Sequence, residues 1–189
     1  VLRTEGRSRG WRRAGLGAVL LIAQAVSASP VWADVITVTA QGTIPSTCGI
    51  TLQSAFGPAN LNANGSVNAS ALVNCNAPYQ LRASSANGAL KSVTAAPAQF
   101  NNSLDYSLSV TVPLDAGGQI SATCASATLV SGASSCALSP ASANGLSSGS
   151  GTSTSKTATL ALQWTLPTST RLIAGSYADV ITITIAAQQ

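Results

Sequence analysis

Cys48, Cys75, Cys124 and Cys136 have the most definite chemistry open to any side chains in this sequence. Thiols either ligate a metal or pair with one another. Zinc sites are assembled from closely spaced Cys and His ligands, and this chain has no Cys-x-x-Cys step and no His at all. The four thiols therefore read as two disulfides, for which three connectivities exist. Pairing Cys48 with Cys75 and Cys124 with Cys136 is favoured, because the short segment between the last two carries Gly132 and serines that permit a turn. Two disulfides imply an oxidising compartment: periplasm, cell surface or medium.

The other candidates for chemistry are sparse. Asp105 and Asp179 are possible partners for glycoside hydrolysis, which needs two carboxylates flanking one bond, but nothing in their spacing brings them together, and they read as solvated or turn residues. A serine triad lacks its histidine base, and the sequence carries no Gly-x-Ser-x-Gly, no phosphate-cradling loop and no dinucleotide fingerprint. Tyr79, Tyr106, Trp164 and Tyr177 read as core or sheet-face aromatics in preference to a ligand platform. The expectation is a non-enzymatic protein with neither cofactor nor metal.

The formal net charge of +4 belongs to the first 33 residues. These contain Arg3, Arg7, Arg9, Arg12 and Arg13, an apolar run from about Ala14 to Val26, and the small-residue site Val31-Trp32-Ala33, the three parts of a secretory signal. A transmembrane anchor is the competing reading, but the apolar run is shorter than the roughly 20 residues a span needs. Cleavage after Ala33 leaves Asp34 first; cleavage after Ala28 is the alternative. From Asp34 onward, Arg82, Lys91, Lys156 and Arg171 balance Asp34, Asp105, Asp115 and Asp179. The basic charge of the whole sequence is therefore no sign of nucleic-acid binding, which needs a basic patch on the mature surface, and no nucleic-acid partner is expected.

Positioning falls to β-strands. Asp34-Val-Ile-Thr-Val-Thr-Ala40 and Asp179-Val-Ile-Thr-Ile-Thr-Ile185 are near-copies with period-2 alternation. In the first, Ile36, Val38, Ala40, Gly42 and Ile44 share a face; in the second, Ile181, Ile183 and Ile185 do. Between them, strands are expected at 47–52, 67–75, 79–83, 89–94 and 104–110, where Leu104, Tyr106, Leu108 and Val110 point inward. Another is expected at 157–165, with Ala158, Leu160, Leu162 and Trp164 inward. A short strand is expected at 125–130, and the Ser/Gly-rich stretch 139–156 reads as a long surface loop. Short strands, Gly/Pro turns and no helix predict one all-β domain, a two-sheet β-sandwich.

Several separated motifs then fall into a recognisable order. Thr47-Cys48-Gly-Ile50, Val73-Asn-Cys75-Asn-Ala-Pro78-Tyr79-Gln-Leu81, Leu104-Asp-Tyr-Ser-Leu108 and the closing Ala174-Gly175-Ser-Tyr177-Ala-Asp179-Val-Ile-Thr-Ile-Thr-Ile185 together resemble the spore coat protein U family. That family includes pilin subunits of archaic, Csu-type chaperone–usher fimbriae. Cys124, Cys136, the Ser/Gly insertion and the Ala-Ala-Gln-Gln ending depart from its pattern and leave a subunit's rank within a fibre open.

The resemblance implies an incomplete immunoglobulin-like β-sandwich that lacks its last strand and is completed by donor-strand exchange. Residues 34–44 would be the donor, with Ile36, Val38, Ala40, Gly42 and Ile44 facing the groove, inside an N-terminal segment 34–45 that precedes a body of 46–189. At about 3.3 Å per residue these eleven residues span roughly 36 Å. The strand carrying Ile181, Ile183 and Ile185 would be one wall of the acceptor groove. Implied partners are other pilin subunits, a periplasmic chaperone and an outer-membrane usher, and the implied destination is a surface fimbria serving adhesion or biofilm formation. A secreted coat or matrix protein and a monomeric carbohydrate-binding module are the alternatives.

Overall fold

A computed structural model describes residues 39, 41–131, 136–140 and 145–188. The chain divides into a unit of residues 1–42 and a body, Thr43–Gln189. The signal segment and most of the expected donor, including Ile36, Val38 and Ala40, lie outside the described residues.

Among the described residues the body is all-β apart from one short helix. Its elements are β1 (Cys48–Ser54), β2 (Gly65–Cys75), β3 (Tyr79–Ser85), β4 (Leu90–Ser92), β5 (Phe100–Asn101), β6 (Ser103–Leu104), β7 (Tyr106–Pro113) and β8 (Gln119–Ala125). Then come α1 (Ser126–Ser131), β9 (Leu146–Ser147), β10 (Ser153–Trp164), β11 (Arg171–Leu172), β12 (Tyr177–Ala178) and β13 (Ile181–Ala187). The largest sheet runs β1-β2-β10-β7-β8; β13-β3-β9 and β12-β4-β6 are three-stranded, and β11 pairs with β5. All pairs are antiparallel except β11 with β5.

Alternation explains the core. Along β7, Tyr106, Leu108, Val110 and Val112 are buried while Ser107, Ser109, Thr111 and Pro113 are only half-buried; along β10, Ala158, Leu160, Leu162 and Trp164 are buried in the same way. The register sets Leu160 beside Val110 and Leu162 beside Leu108, so the two inward rows meet. With Tyr79, Leu81 and Ala83 of β3 they form one apolar cluster. The outward Ser109 and Thr123 bond through their hydroxyls at 2.7 Å, a cross-strand pair that covers the sheet without charge. The inward faces expected for 104–110 and 157–165 are those found, and in β3 Tyr79, Leu81 and Ala83 share the buried side.

Three expectations are corrected. Residues 126–131 form α1, not a strand: the ladder with β7 ends at Ser107 and Ala125, and beyond it Tyr106 N–H donates to Ser126 Oγ (3.3 Å) in place of a backbone partner. Leu129, in the middle of that helix, is then fully buried. The helix also means the domain is not free of α-structure. The stretch 139–156 is not a surface loop throughout. Ser139, Leu146, Ser148 and Ser153 are buried, Leu138 C=O accepts from Ala83 N–H (2.7 Å), and β9 pairs with β3. These residues cover the edge of β3 that β13 leaves unpaired, as a sheet edge requires. β10 already begins at Ser153. Ser155 lies in the left-handed region (φ 53°) inside an irregularity of the β10–β2 ladder, and Lys156 there reaches Asp115 at 3.4 Å.

Cys48 is bonded to Cys75 and Cys124 to Cys136. The first disulfide joins the start of β1 to the end of β2, where the two residues are also register partners. The second ties β8 to the segment that follows α1.

Candidate functional site

β1 pairs with β2 on one side, and β13 pairs with β3 on one side. Among the described residues neither has a second strand partner, although the two strands approach each other. Between them lies an apolar groove. Its first cavity, about 380 Å³, is lined by Leu52, Phe56, Leu61, Val67, Ala69, Leu90, Leu160, Leu162, Trp164, Ile181 and Ile183, among others. A second cavity of about 250 Å³ continues it along Ile50, Leu52, Ala71, Leu160, Ile181 and Ile183. The floor consists of core residues from β2 and β10, and the walls are β1 and β13.

The groove's apolar character follows from period 2. Ile181, Ile183 and Ile185 are all half-buried while Thr182, Thr184 and Ala186 are exposed, so the isoleucine row faces the core and is only partly covered by it. Opposite, Leu52 is 62 % exposed although it belongs to the row that lines the groove. Half-covered apolar side chains beside unpaired backbone are what sheet edges in soluble proteins are normally built to avoid.

One end of the groove is polar. Asp179, just before β13, accepts from Tyr106 O–H (2.6 Å), Ser85 O–H (2.5 Å), Asn87 N–H (3.0 Å) and Val180 N–H (2.8 Å). Burial, and then the hydrogen bond to this carboxylate, raise the Tyr106 phenol well above its ordinary value. Asp179 is thus an anchor that holds the start of β13, where the sequence suggested a solvated or turn residue, while Asp105 is exposed. No short-range signal marks this cluster, because its members come together across 73 and 94 positions.

Nearby, Trp164 closes the floor. Its indole N–H donates to Ala63 C=O (2.9 Å), and its ring lies so close to Gly65 that a Cβ there would stand 2.7 Å from Cζ2. Tyr177 donates its hydroxyl to Ile173 C=O (2.9 Å) and Asn101 C=O (3.1 Å), holding the loop before β12. Tyr79, Tyr106 and Trp164 are core residues, and Tyr177 is half-buried at the groove's end.

Of the expected donor face, the described members Gly42 and Ile44 are exposed, Ile44 at 89 %. A separate surface cluster holds Asp115, which accepts from Thr152 O–H (2.8 Å), Thr154 N–H and Thr154 O–H. These bonds, the one from Thr152 foremost, hold its carboxyl below the ordinary value. Among the described residues no group of three His, Cys, Asp or Glu side chains gathers as metal ligands would.

No protein-family model, curated protein or solved structure matches the chain.

Proposed function

We propose that this protein is a structural subunit of a surface fibre, an incomplete immunoglobulin-like sandwich whose groove between β1 and β13 takes up a strand from another molecule. The observation that carries this reading is the groove itself: among the described residues, two strands with one partner each stand over apolar core residues of β2 and β10, with Leu52 and the isoleucines of β13 only partly covered. An incoming strand would hydrogen-bond to both walls and place alternate side chains on the floor, the arrangement of strand addition.

The occupant is residues 34–44 of a second copy. Their inward set of Ile36, Val38, Ala40, Gly42 and Ile44 suits an apolar floor, and the segment carries no charge after Asp34. Burying the larger three or four of these side chains contributes a gross gain on the order of 5–10 kcal/mol before ordering costs. Repeated from copy to copy, the exchange makes a linear polymer, because donor and acceptor are different surfaces of one chain. A periplasmic chaperone strand would cover the groove before assembly, and an outer-membrane usher would direct the exchange. The product is a fimbria for adhesion or biofilm formation. This role asks for no catalytic group and no cofactor.

Electron microscopy of cells expressing the chain with a chaperone and usher tests the proposal. Fibres are expected from the parent chain and not from Val38→Asp, which puts a charge on the donor's inward face while leaving export intact. Fibres of normal length from Val38→Asp would overturn it.

A further inference from the structure

An exchange between molecules must compete with the same segment folding back into its own groove, which is tethered beside it and therefore at high effective concentration. The body carries a feature that bears on this competition, at the root of the N-terminal segment. Asn76 N–H donates to Thr47 C=O (3.1 Å), Thr47 N–H donates to Asn76 Oδ1 (2.7 Å), and Asn76 Nδ2 donates to Pro45 C=O (3.1 Å). The Thr47–Asn76 pair continues the β1–β2 register one step past Cys48 and Cys75, and the amide side chain extends the grip two residues further.

The side from which this grip comes is decisive. β1 has β2 on one edge and the groove on the other. Asn76, directly after β2, holds residues 45–47 from the edge away from the groove. To lie beside β1 in its own groove, the segment 34–44 would have to reverse within residues 45–47 and cross to the opposite edge. That reversal draws Pro45 away from β2 and breaks the bond from Asn76 Nδ2 to its C=O. Ile44, the first apolar residue beyond the grip, is accordingly exposed.

We infer that Asn76 is a positioning residue that disfavours self-closure, holding the donor root on the far side of β1 so that the segment is offered to a second copy. This rests on the proposed reading of the groove. It adds a reason for exchange between molecules that neither the groove nor the donor contains by itself.

The test uses the full chain and a synthetic peptide of residues 34–44 as probe, with binding read by fluorescence anisotropy on the monomer fraction. The parent chain is expected to bind the peptide. Asn76→Ala removes both side-chain bonds and is expected to raise the fraction of folded monomer that refuses the peptide roughly tenfold. Asn76→Asp keeps the acceptor for Thr47 N–H and loses the donor to Pro45, so an intermediate rise is expected; it carries the test should the alanine variant not fold. Equal peptide binding by the parent and both folded variants would overturn the inference. Refusal by the parent with binding by Val38→Asp, whose own segment is spoiled, would also overturn it while leaving the groove's role standing. Refusal by the parent and by Val38→Asp would instead bring down the reading of the groove.

Discussion

The phenol of Tyr106 donates to Asp179 Oδ2 at 2.6 Å, joining the first residue of β7 to the residue that launches β13. Those two strands belong to different sheets. The bond therefore ties the wall of the groove to the centre of the core, and Ser85 and two backbone amides complete the carboxylate's partners. Replacing Asp179 by Asn keeps the shape but supplies donors where Tyr106 and Ser85 require acceptors. Asp179→Asn is expected to destabilise the body by about 2–3 kcal/mol, the range for a partly buried, charge-assisted network left unsatisfied. Chemical denaturation measures it.

The same pair makes a pH prediction. The Tyr106 phenol is raised above its ordinary value of 10.0, first by burial and then by Asp179. A group raised in the folded state contributes stability that is complete below the unfolded value and is lost as pH climbs through the folded one. Stability is thus expected to fall as pH rises above 10. Tyr106→Phe should flatten part of that fall while lowering stability at neutral pH. The residual slope comes from Tyr79, raised chiefly by burial. Denaturation midpoints between pH 7 and 11 distinguish the two slopes.

Gly65→Ala should be destabilising although the residue opens a strand and no unusual backbone angle is involved. The new Cβ would stand 2.7 Å from Trp164 Cζ2, and the indole is held in place by its bond to Ala63. Displacing it costs about 1–3 kcal/mol and changes the floor of the groove. A shifted Trp fluorescence maximum together with a lowered melting temperature is the expected signature.

Removing the Cys48–Cys75 bridge by a double serine substitution is expected to cost roughly 3 kcal/mol in the chain-entropy account. Its local effect exceeds its global one, because the bridge anchors β1, whose only strand partner among the described residues is β2. Hydrogen exchange should accelerate in β1 before it does in β7 or β10. The equivalent change at Cys124 and Cys136 should loosen the α1 region and leave β1 protected.

Much of the fold was legible because period-2 alternation is a local signal. Tyr79-Gln-Leu-Arg-Ala83 and Leu104-Asp-Tyr-Ser-Leu-Ser-Val110 show their buried faces without reference to any partner, and the isoleucine row of β13 is equally plain. What escaped depends on partners distant in sequence. Residues 126–131 are apolar enough for a strand, but the β7 ladder has ended by then, so the segment turns into a helix that buries Leu129. The serines of 139–153 look like loop composition, yet Ser148 and Ser153 are buried because Tyr79 uses their hydroxyls, through its backbone N–H at 2.8 Å and its phenol at 2.8 Å. Composition cannot distinguish a solvated serine from one that satisfies a buried donor.

The site divides in the same way. The shared face of Ile181, Ile183 and Ile185 was readable from alternation, whereas the cavity that Ile181 and Ile183 line depends on the distant strands β1, β2 and β10. The polar cluster on Asp179 and the grip of Asn76 on Pro45 and Thr47 were not, since each joins a side chain to groups 29 to 94 positions away with no periodicity to announce it. The only hint at Asp179 is a carboxylate placed immediately before an apolar strand in a chain with few charges.

The most direct measurement is a mixed disulfide trap between two versions of the chain, one carrying Val38→Cys and the other Ile183→Cys. If the groove takes the segment of a neighbouring molecule, oxidising a mixture of the two should give a covalent dimer containing one of each, and a double variant should give a ladder of linked chains. A double variant that closes only within single molecules, or a mixture that yields no cross-linked species, would contradict the account.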